Sequence, residues 1–320
     1  MLPPSGIHPA CQRSLNIARS SKREPRLTTV ALIGAGRLGT AFGALLERSG
    51  GYRVIGVSGR RPSHDRAQQY LPFARFLLPE DAAREADVAI FGVPDDLIAK
   101  GCEVMAAGGA FRRRQKVVHL SGSIGLDALA PAKAKGAEIL SVHPLQTVPD
   151  VDSGIENLPG SPMAVTARTD AGLSYGEELV YAVGGEPFRL PDEAKPLYHA
   201  AAVFASNYLV VVEALAEELL RTAGVENAVE RLTPLARVSL DRALAMGPAE
   251  ALTGPAARGD VGTLARNLWA LGEHAPHLVP AYWVLARHAA RIAHQGGRLS
   301  AEDRDRIEEV LGRARRGGGS

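Results

Sequence analysis

From Thr28 onward, short runs that are almost wholly apolar alternate with longer stretches whose apolar residues recur every three or four positions. The runs TTVALI (28–33), YRVIGVS (52–58), DVAIFGV (87–93), KVVHL (116–120) and EILSV (138–142) read as strands. The run at 87–93 is apolar nearly throughout, as expected of a strand covered on both faces. Helical spacing marks residues 40–50, 63–70, the stretch from Pro79, residues 95–107 and the stretch after Ser123, with a short strand at 75–78. Residues 144–161, rich in Pro, Gly and Asp, read as a long loop. A strand at 163–167, a helix and a strand at 187–190 follow. This alternation predicts an α/β fold, a doubly wound and mostly parallel sheet with right-handed crossovers.

Beyond Pro191 the pattern turns wholly helical, with segments expected at 192–222, 226–246, 261–273, 278–295 and 300–315. The run AAAVFASNYLVVVEALAEELL is apolar on too many sides for a surface helix, so a buried spine shared with a second subunit is expected. The domains read as a disordered basic tail at 1–26, a dinucleotide-binding domain at 27–190 and a helical substrate and dimerisation domain at 191–316.

Composition narrows the class. With 320 residues the chain is long enough for two cores, and 46% hydrophobic with 22% charged residues is ordinary for a globular protein. A formal net charge of +2 gives no field for nucleic acid. Cys11 and Cys102 have no metal-ligand spacing and read as thiols in a reducing cytoplasm. No apolar run is expected to span a bilayer, and no metal site is expected, His274-x-x-His277 being interrupted by Pro276.

The first strand runs directly into Gly34-Ala35-Gly36-Arg37-Leu38-Gly39, and a helix follows. A GxGxxG between strand and helix is the context in which this motif signals a dinucleotide. Gly34 permits the tight turn, Gly36 the approach of the pyrophosphate, and Gly39 close helix–strand packing, while the helix N-terminus meets the phosphates. An NAD site places a carboxylate at the end of the second strand. Here Ser58-Gly59-Arg60-Arg61 stands instead, a hydroxyl and two guanidinium groups suited to a 2′-phosphate, so NADP(H) is the expected cofactor. The alternative is that Arg60 and Arg61 are solvated surface charges.

Ligands of such sheets sit beyond the C-terminal strand ends. Val93-Pro94 and Ser121-Gly122 fall there and are expected to line the cofactor; His143 falls there too, as a proton donor or as a histidine bonded to loop backbone. His199, Val203, Ser206 and Asn207 recur at helical spacing, and as polar groups in an apolar helix they face either a cavity or an interface. In LTGPAARGD (252–260), Arg258 is placed either to clamp a carboxylate or to pair structurally with Asp260, which can cap the next helix.

The stretches VALIGAGRLGTAF, DVAIFGVPDD, VVHLSGS, SVHPLQTV, YHAAAVFASNYLV and LTGPAARGD, within residues 30–260, resemble a bacterial family with a Rossmann-like N-terminal half and a C-terminal domain of unknown function. More distantly the chain is similar to ketopantoate reductase, pyrroline-carboxylate reductase and the 6-phosphogluconate dehydrogenase-type hydroxyacid dehydrogenases. The resemblance implies an NADPH-dependent reductase of a small carboxylate substrate, with ketopantoate the specific implication and a cyclic imine acid the competing one. A non-enzymatic NADP(H) sensor or scaffold is the rival class. The relatives' catalytic lysine, four residues before an asparagine, falls on Val203 if Asn207 is that asparagine, and Lys195 at the helix start is the only lysine near. Under the enzyme reading His199 or His143 supplies the proton, Ser206 and Asn207 orient the carbonyl, and Arg258 holds the carboxylate.

Overall fold

The computed structural model describes residues 26–317; the tail expected at 1–26 lies, apart from Arg26, outside the described residues, as does Cys11. Eight strands form one sheet: β1 (Thr28–Ile33), β2 (Tyr52–Ser58), β3 (Arg75–Phe76), β4 (Val88–Phe91), β5 (Lys116–His119), β6 (Glu138–Pro144), β7 (Pro162–Ala167) and β8 (Glu186–Arg189). Their order is β3-β2-β1-β4-β5-β6-β7-β8. Every pairing is parallel except β6 with β7, which the intervening 145–161 segment turns back antiparallel.

The helices of this half are α1 (Arg37–Arg48), α2 (Arg61–Tyr70), α3 (Pro79–Glu85), α4 (Asp95–Ala107), α5 (Ala130–Ala134), α6 (Val151–Asn157) and α7 (Asp170–Ala182). Strand alternation divides the apolar side chains between two layers. Leu32, Ile90, Val118 and Leu140 pack with Phe42 and Leu46 of α1 on one face. Ile33, Phe91, Val117 and Ile139 pack with Ile98 and Cys102 of α4 on the other. Burial on both sides explains the nearly continuous apolar strands.

One expectation fails at 144–161. The segment contains α6, whose N-cap Asp150 accepts a hydrogen bond from the Ser153 amide at 2.8 Å. Its Gly154 lies so close to Ala41 of α1 that a β-carbon there would stand 2.7 Å from the Ala41 methyl. A seven-residue helix containing Gly and Ser has too little periodicity to read, and its packing on α1 outweighs its weak propensity.

The chain forms two compact units, one ending at His199 and the other beginning at Ala200. The second contains most of α8 (Lys195–Ala205), then α9 (Asn207–Thr222), α10 (Ala228–Met246), α11 (Pro248–Ala251), α12 (Pro255–Arg258), α13 (Val261–His274), α14 (Val279–Gln295) and α15 (Ala301–Gly317). Its core joins Leu264 and Leu268 of α13 to Ala290 and Ala293 of α14 and Ile307 and Leu311 of α15. Leu215 and Leu219 of α9 pack against Leu271 and Leu278 in a smaller cluster. Asp260 caps α13 through the Thr263 amide at 3.0 Å.

Three expectations about 192–222 are corrected. The helix is not continuous: Ser206, at φ −121° and ψ −73°, separates α8 from α9, so His199 and Asn207 do not lie on one regular helix. Nor is it a buried spine, since Tyr208, Leu209, Val210, Val211 and Val212 are all exposed. Finally, taken across the Ser206 break, Asp192–Thr222 does contain a stretch long and apolar enough to cross a bilayer by length and composition alone. Scattered polar residues such as His199 and Asn207 interrupt its apolar runs without lowering its average enough to disqualify it.

Candidate functional site

The sheet order reverses between β1 and β4, and at their C-terminal ends the chain leaves both strands in glycine turns. Gly34 has φ +87°, and a β-carbon there would lie 2.4 Å from Cγ1 of Val93. Only glycine meets both demands without strain. The amides of Gly34 and Ala35 donate to the Ser58 carbonyl at 3.2 and 3.0 Å, which ties the turn to the end of β2. At Gly36, the N-cap of α1, a β-carbon would come 3.1 Å from the Gly92 carbonyl oxygen. The first amides of α1 therefore open onto a backbone surface free of side-chain bulk, with no acidic residue in the first turn. Gly39 is buried behind the turn, while Arg37 is exposed and Leu38 half-buried at its rim.

A cleft of 520 Å³ continues from this turn, lined by Gly34, Ser58, Gly59, Phe76, Leu78, Pro79 and Val93 among others. Its apolar wall suits the face of an aromatic base. Ser58 lines the cleft, but it does not stand free as the sequence suggested. It is buried, and its hydroxyl accepts from the Gly34 amide (3.3 Å) and donates to the Leu32 carbonyl (3.4 Å), so its hydrogen bonds hold the turn. Arg60 and Arg61 are exposed at the start of α2. Arg66, which sequence reasoning missed, reaches back from α2 to donate to the Ala35 carbonyl at 2.8 Å.

On the other side of β4 the strand ends carry a polar cluster. Asp95, first residue of α4 after Val93-Pro94, accepts from the hydroxyls of Ser121 (2.8 Å) and Ser123 (2.6 Å). The turn after β5 is thereby bound to the turn after β4. Gly122 lies directly against the His143 ring: a β-carbon there would be 2.7 Å from its Cε1. His143 Nδ1 shares a hydrogen bond of 2.9 Å with the Tyr198 hydroxyl, and the His199 ring packs edge-on 6.0 Å away. Nδ1 of His199 is buried without a partner.

Beneath this surface Lys195 is fully buried. Its ammonium donates to the Ser121 carbonyl and to Ser141 Oγ, each at 2.9 Å. Burial pulls its pKa down to about 8, opposed by Asp192 and Asp95. Burial, with Lys195 and His199 adding to it, lowers His143 to about 4. His119, buried in β5 and accepting from the Ser121 amide through Nδ1, is lowered to about 3 by burial first and Lys195 second. Both imidazoles are thus neutral at pH 7, so His143 holds no cationic proton to give.

The remaining expected residues belong to the second unit. Ser206 is half-buried at the break before α9, and Asn207 is exposed at its first turn. Arg258 is exposed at the end of α12. No role for Tyr198 or Lys195 is legible from sequence: their partners lie 54 to 74 residues away, and only the sheet brings them together.

A dinucleotide-type turn at a sheet's switch point, followed by a helical unit, defines the class of protein. Residues 15–144 match the Rossmann-like domain and residues 161–289 match the domain of unknown function DUF2520. The chain pairs a Rossmann-like domain with a C-terminal DUF2520 domain. No curated protein matches it at a comparable level. Among solved structures it is similar to a protein from Bacteroides fragilis provisionally assigned as an NADP oxidoreductase, at 23% identity and TM-score 0.69, over 83% of this chain and 98% of that one. A Thermotoga maritima protein follows at 20% identity and TM-score 0.63, over 83% and 98%. A reductive aminase from Aspergillus terreus in complex with NADPH and ethyl levulinate aligns at 22% identity and TM-score 0.54, over 92% and 95%. At these identities the likeness is one of fold.

Proposed function

We propose that the chain is an NADPH-dependent oxidoreductase that reduces a small 2-oxo acid, with ketopantoate the specific candidate, and that it works in the cytoplasm as a homodimer. The reading rests above all on one observation: Asp95, Ser121 and His143, at the C-terminal ends of β4, β5 and β6, gather with Tyr198 of α8 at the same edge of the sheet as the glycine turn after β1. The residues fit the cofactor, since Gly34 and Gly36 leave the backbone bare where a pyrophosphate would approach and α1 supplies unpaired amides. Arg60 and Arg61 are the groups to hold a 2′-phosphate. Bound NADPH supplies a hydride to the substrate carbon.

What remains is a proton for the substrate oxygen. With His143 neutral, the donor is a neutral group, the Tyr198 hydroxyl or the imidazole N–H beside it, rather than an imidazolium. His199 is the second candidate. The roles expected for Ser206, Asn207 and Arg258 enter this proposal as substitutions to be scored.

That neutral imidazole also favours a second reading, reduction of a cyclic imine acid. A substrate that arrives already protonated needs no acid from the protein. A screen of NADPH oxidation against 2-oxo acids and cyclic imines tests both. The first reading expects turnover with the oxo acids. A protein that binds NADPH yet oxidises it with neither class refutes both readings.

Second-copy association is supported by the exposed apolar residues of α9 and α10, among them Val210 and Leu244 at 68% and 77% exposure. Scattered single exposed apolar residues need no explanation; five in succession at 208–212 do.

A further inference from the structure

A lysine with no exposed surface is among the least common features of a globular protein unless a carboxylate pairs with it. Lys195 has no such partner among the described residues: its two hydrogen bonds go to a carbonyl and a hydroxyl, both neutral. Asp95 and Asp192 act on it only at longer range. Its location narrows the meaning. The carbonyl it holds is that of Ser121, whose hydroxyl bonds Asp95 and whose successor Gly122 is the shelf on which His143 rests. The hydroxyl it holds, Ser141, stands two residues before His143 on β6 and itself donates to the Ser121 carbonyl at 3.3 Å.

We propose that Lys195 is a positioning residue of this site: its ammonium locks the Ser121–Gly122 turn to β6 beneath His143 and provides the fixed positive charge there. The proposal rests on the oxidoreductase reading for its purpose, but not for its test. In mechanism the clamp does two things. Ser121, Ser141 and Lys195 form a closed triangle, so the turn after β5 cannot shift away from β6 without breaking bonds to a buried charge. The unpaired charge also acts in a low-dielectric interior, where it favours any neighbour that is neutral or becomes negative and opposes one that becomes positive. The groups facing His143 are Lys195, Tyr198 and His199 from α8, Asp95 from α4 and Gly122 from the turn after β5; of these only Asp95 opposes the lysine. Together with burial, the lysine thereby keeps the His143 imidazole in its uncharged form. A carbonyl oxygen gaining charge during reduction is helped by the same field.

The experiment follows the imidazole resonances of ¹³C-labelled full-length protein with pH, in the wild type, Lys195→Met and Lys195→Arg. Methionine keeps the volume of the chain and leaves the Ser141 hydroxyl able to bond the Ser121 carbonyl. The expected result is a rise of the His143 midpoint by about one pH unit or more in Lys195→Met, and a change below about half a unit in Lys195→Arg. NADPH affinity, read by fluorescence, is expected to stay within about threefold. A folded Lys195→Met protein whose His143 midpoint does not move overturns the proposal. Should that variant not fold, the wild type alone decides. Its His143 resonance must show a second inflection on the alkaline side as Lys195 loses its proton, and a single-step curve overturns the proposal. Failure of the oxidoreductase reading would appear separately, as absent NADPH binding or turnover with the lysine–imidazole coupling intact.

Discussion

Gly34 and Gly122 serve the site in different ways, one through its backbone angle and the other through what lies against it. Gly34→Ala places a methyl group at φ +87° and in contact with Val93, a combination that costs on the order of 1–3 kcal/mol. Denaturant unfolding should register that loss, and NADPH affinity should fall at least about tenfold as the turn moves. Gly122→Ala drives a methyl into the His143 ring and disturbs its bond to Tyr198. Turnover should collapse while NADPH affinity is nearly kept, and equal losses in both would count against the assignment of this turn. Replacing Arg60 and Arg61 with alanine should weaken NADPH by about ten- to a hundredfold and leave NADH nearly unchanged, as removal of charge-assisted phosphate bonds requires. At this scale the glycine turn was legible because its chemistry is local and contiguous. The hydrogen bonds of the Ser58 hydroxyl are not legible in the sequence, because its partners, Gly34 and Leu32, are 24 and 26 residues away. Lys195 was passed over for the same reason.

The elements were read well wherever periodicity is strong and both faces of a strand are apolar, as in β1, β4 and β6. They were misread where packing decides against local pattern. α6 forms in a Pro- and Gly-rich stretch because α1 offers it a surface. α8 and α9 separate at Ser206, whose backbone leaves the helical region although its side chain makes no capping hydrogen bond. Caps behave as local chemistry and can be tested singly. Thr169 accepts from the Gly172 amide (2.9 Å) at the start of α7 and donates to Glu138 (2.7 Å) at the start of β6. Thr169→Ala should lower stability by about 1 kcal/mol, and Thr169→Ser should retain most of it, as read from denaturation midpoints.

For the molecule as a whole, the neutral histidines couple folding to pH. His143 and His119 titrate at about 4 and about 3 in the folded chain, below the ordinary 6.5. Between those values the unfolded chain binds more protons, so their contribution is present above pH 6.5 and is lost as pH falls through the folded values. At pH 5 each histidine should cost roughly 2 kcal/mol relative to pH 7.5. Urea unfolding at the two pH values measures it, and a His143→Gln variant should show a smaller loss on acidification. Association is tested at the same scale. Val210→Glu changes an exposed residue of α9, so the fold should persist while light scattering reports half the mass. A monomeric wild type would rule out the dimer.

The five exposed residues from Tyr208 to Val212 have a consequence that reaches beyond assembly. If the proposed dimer covers that surface, the folded state is subject to mass action, because dilution uncovers it. The melting temperature should then climb with protein concentration, and activity per chain should decline in very dilute assays. Any ligand that binds only the associated form would restore both.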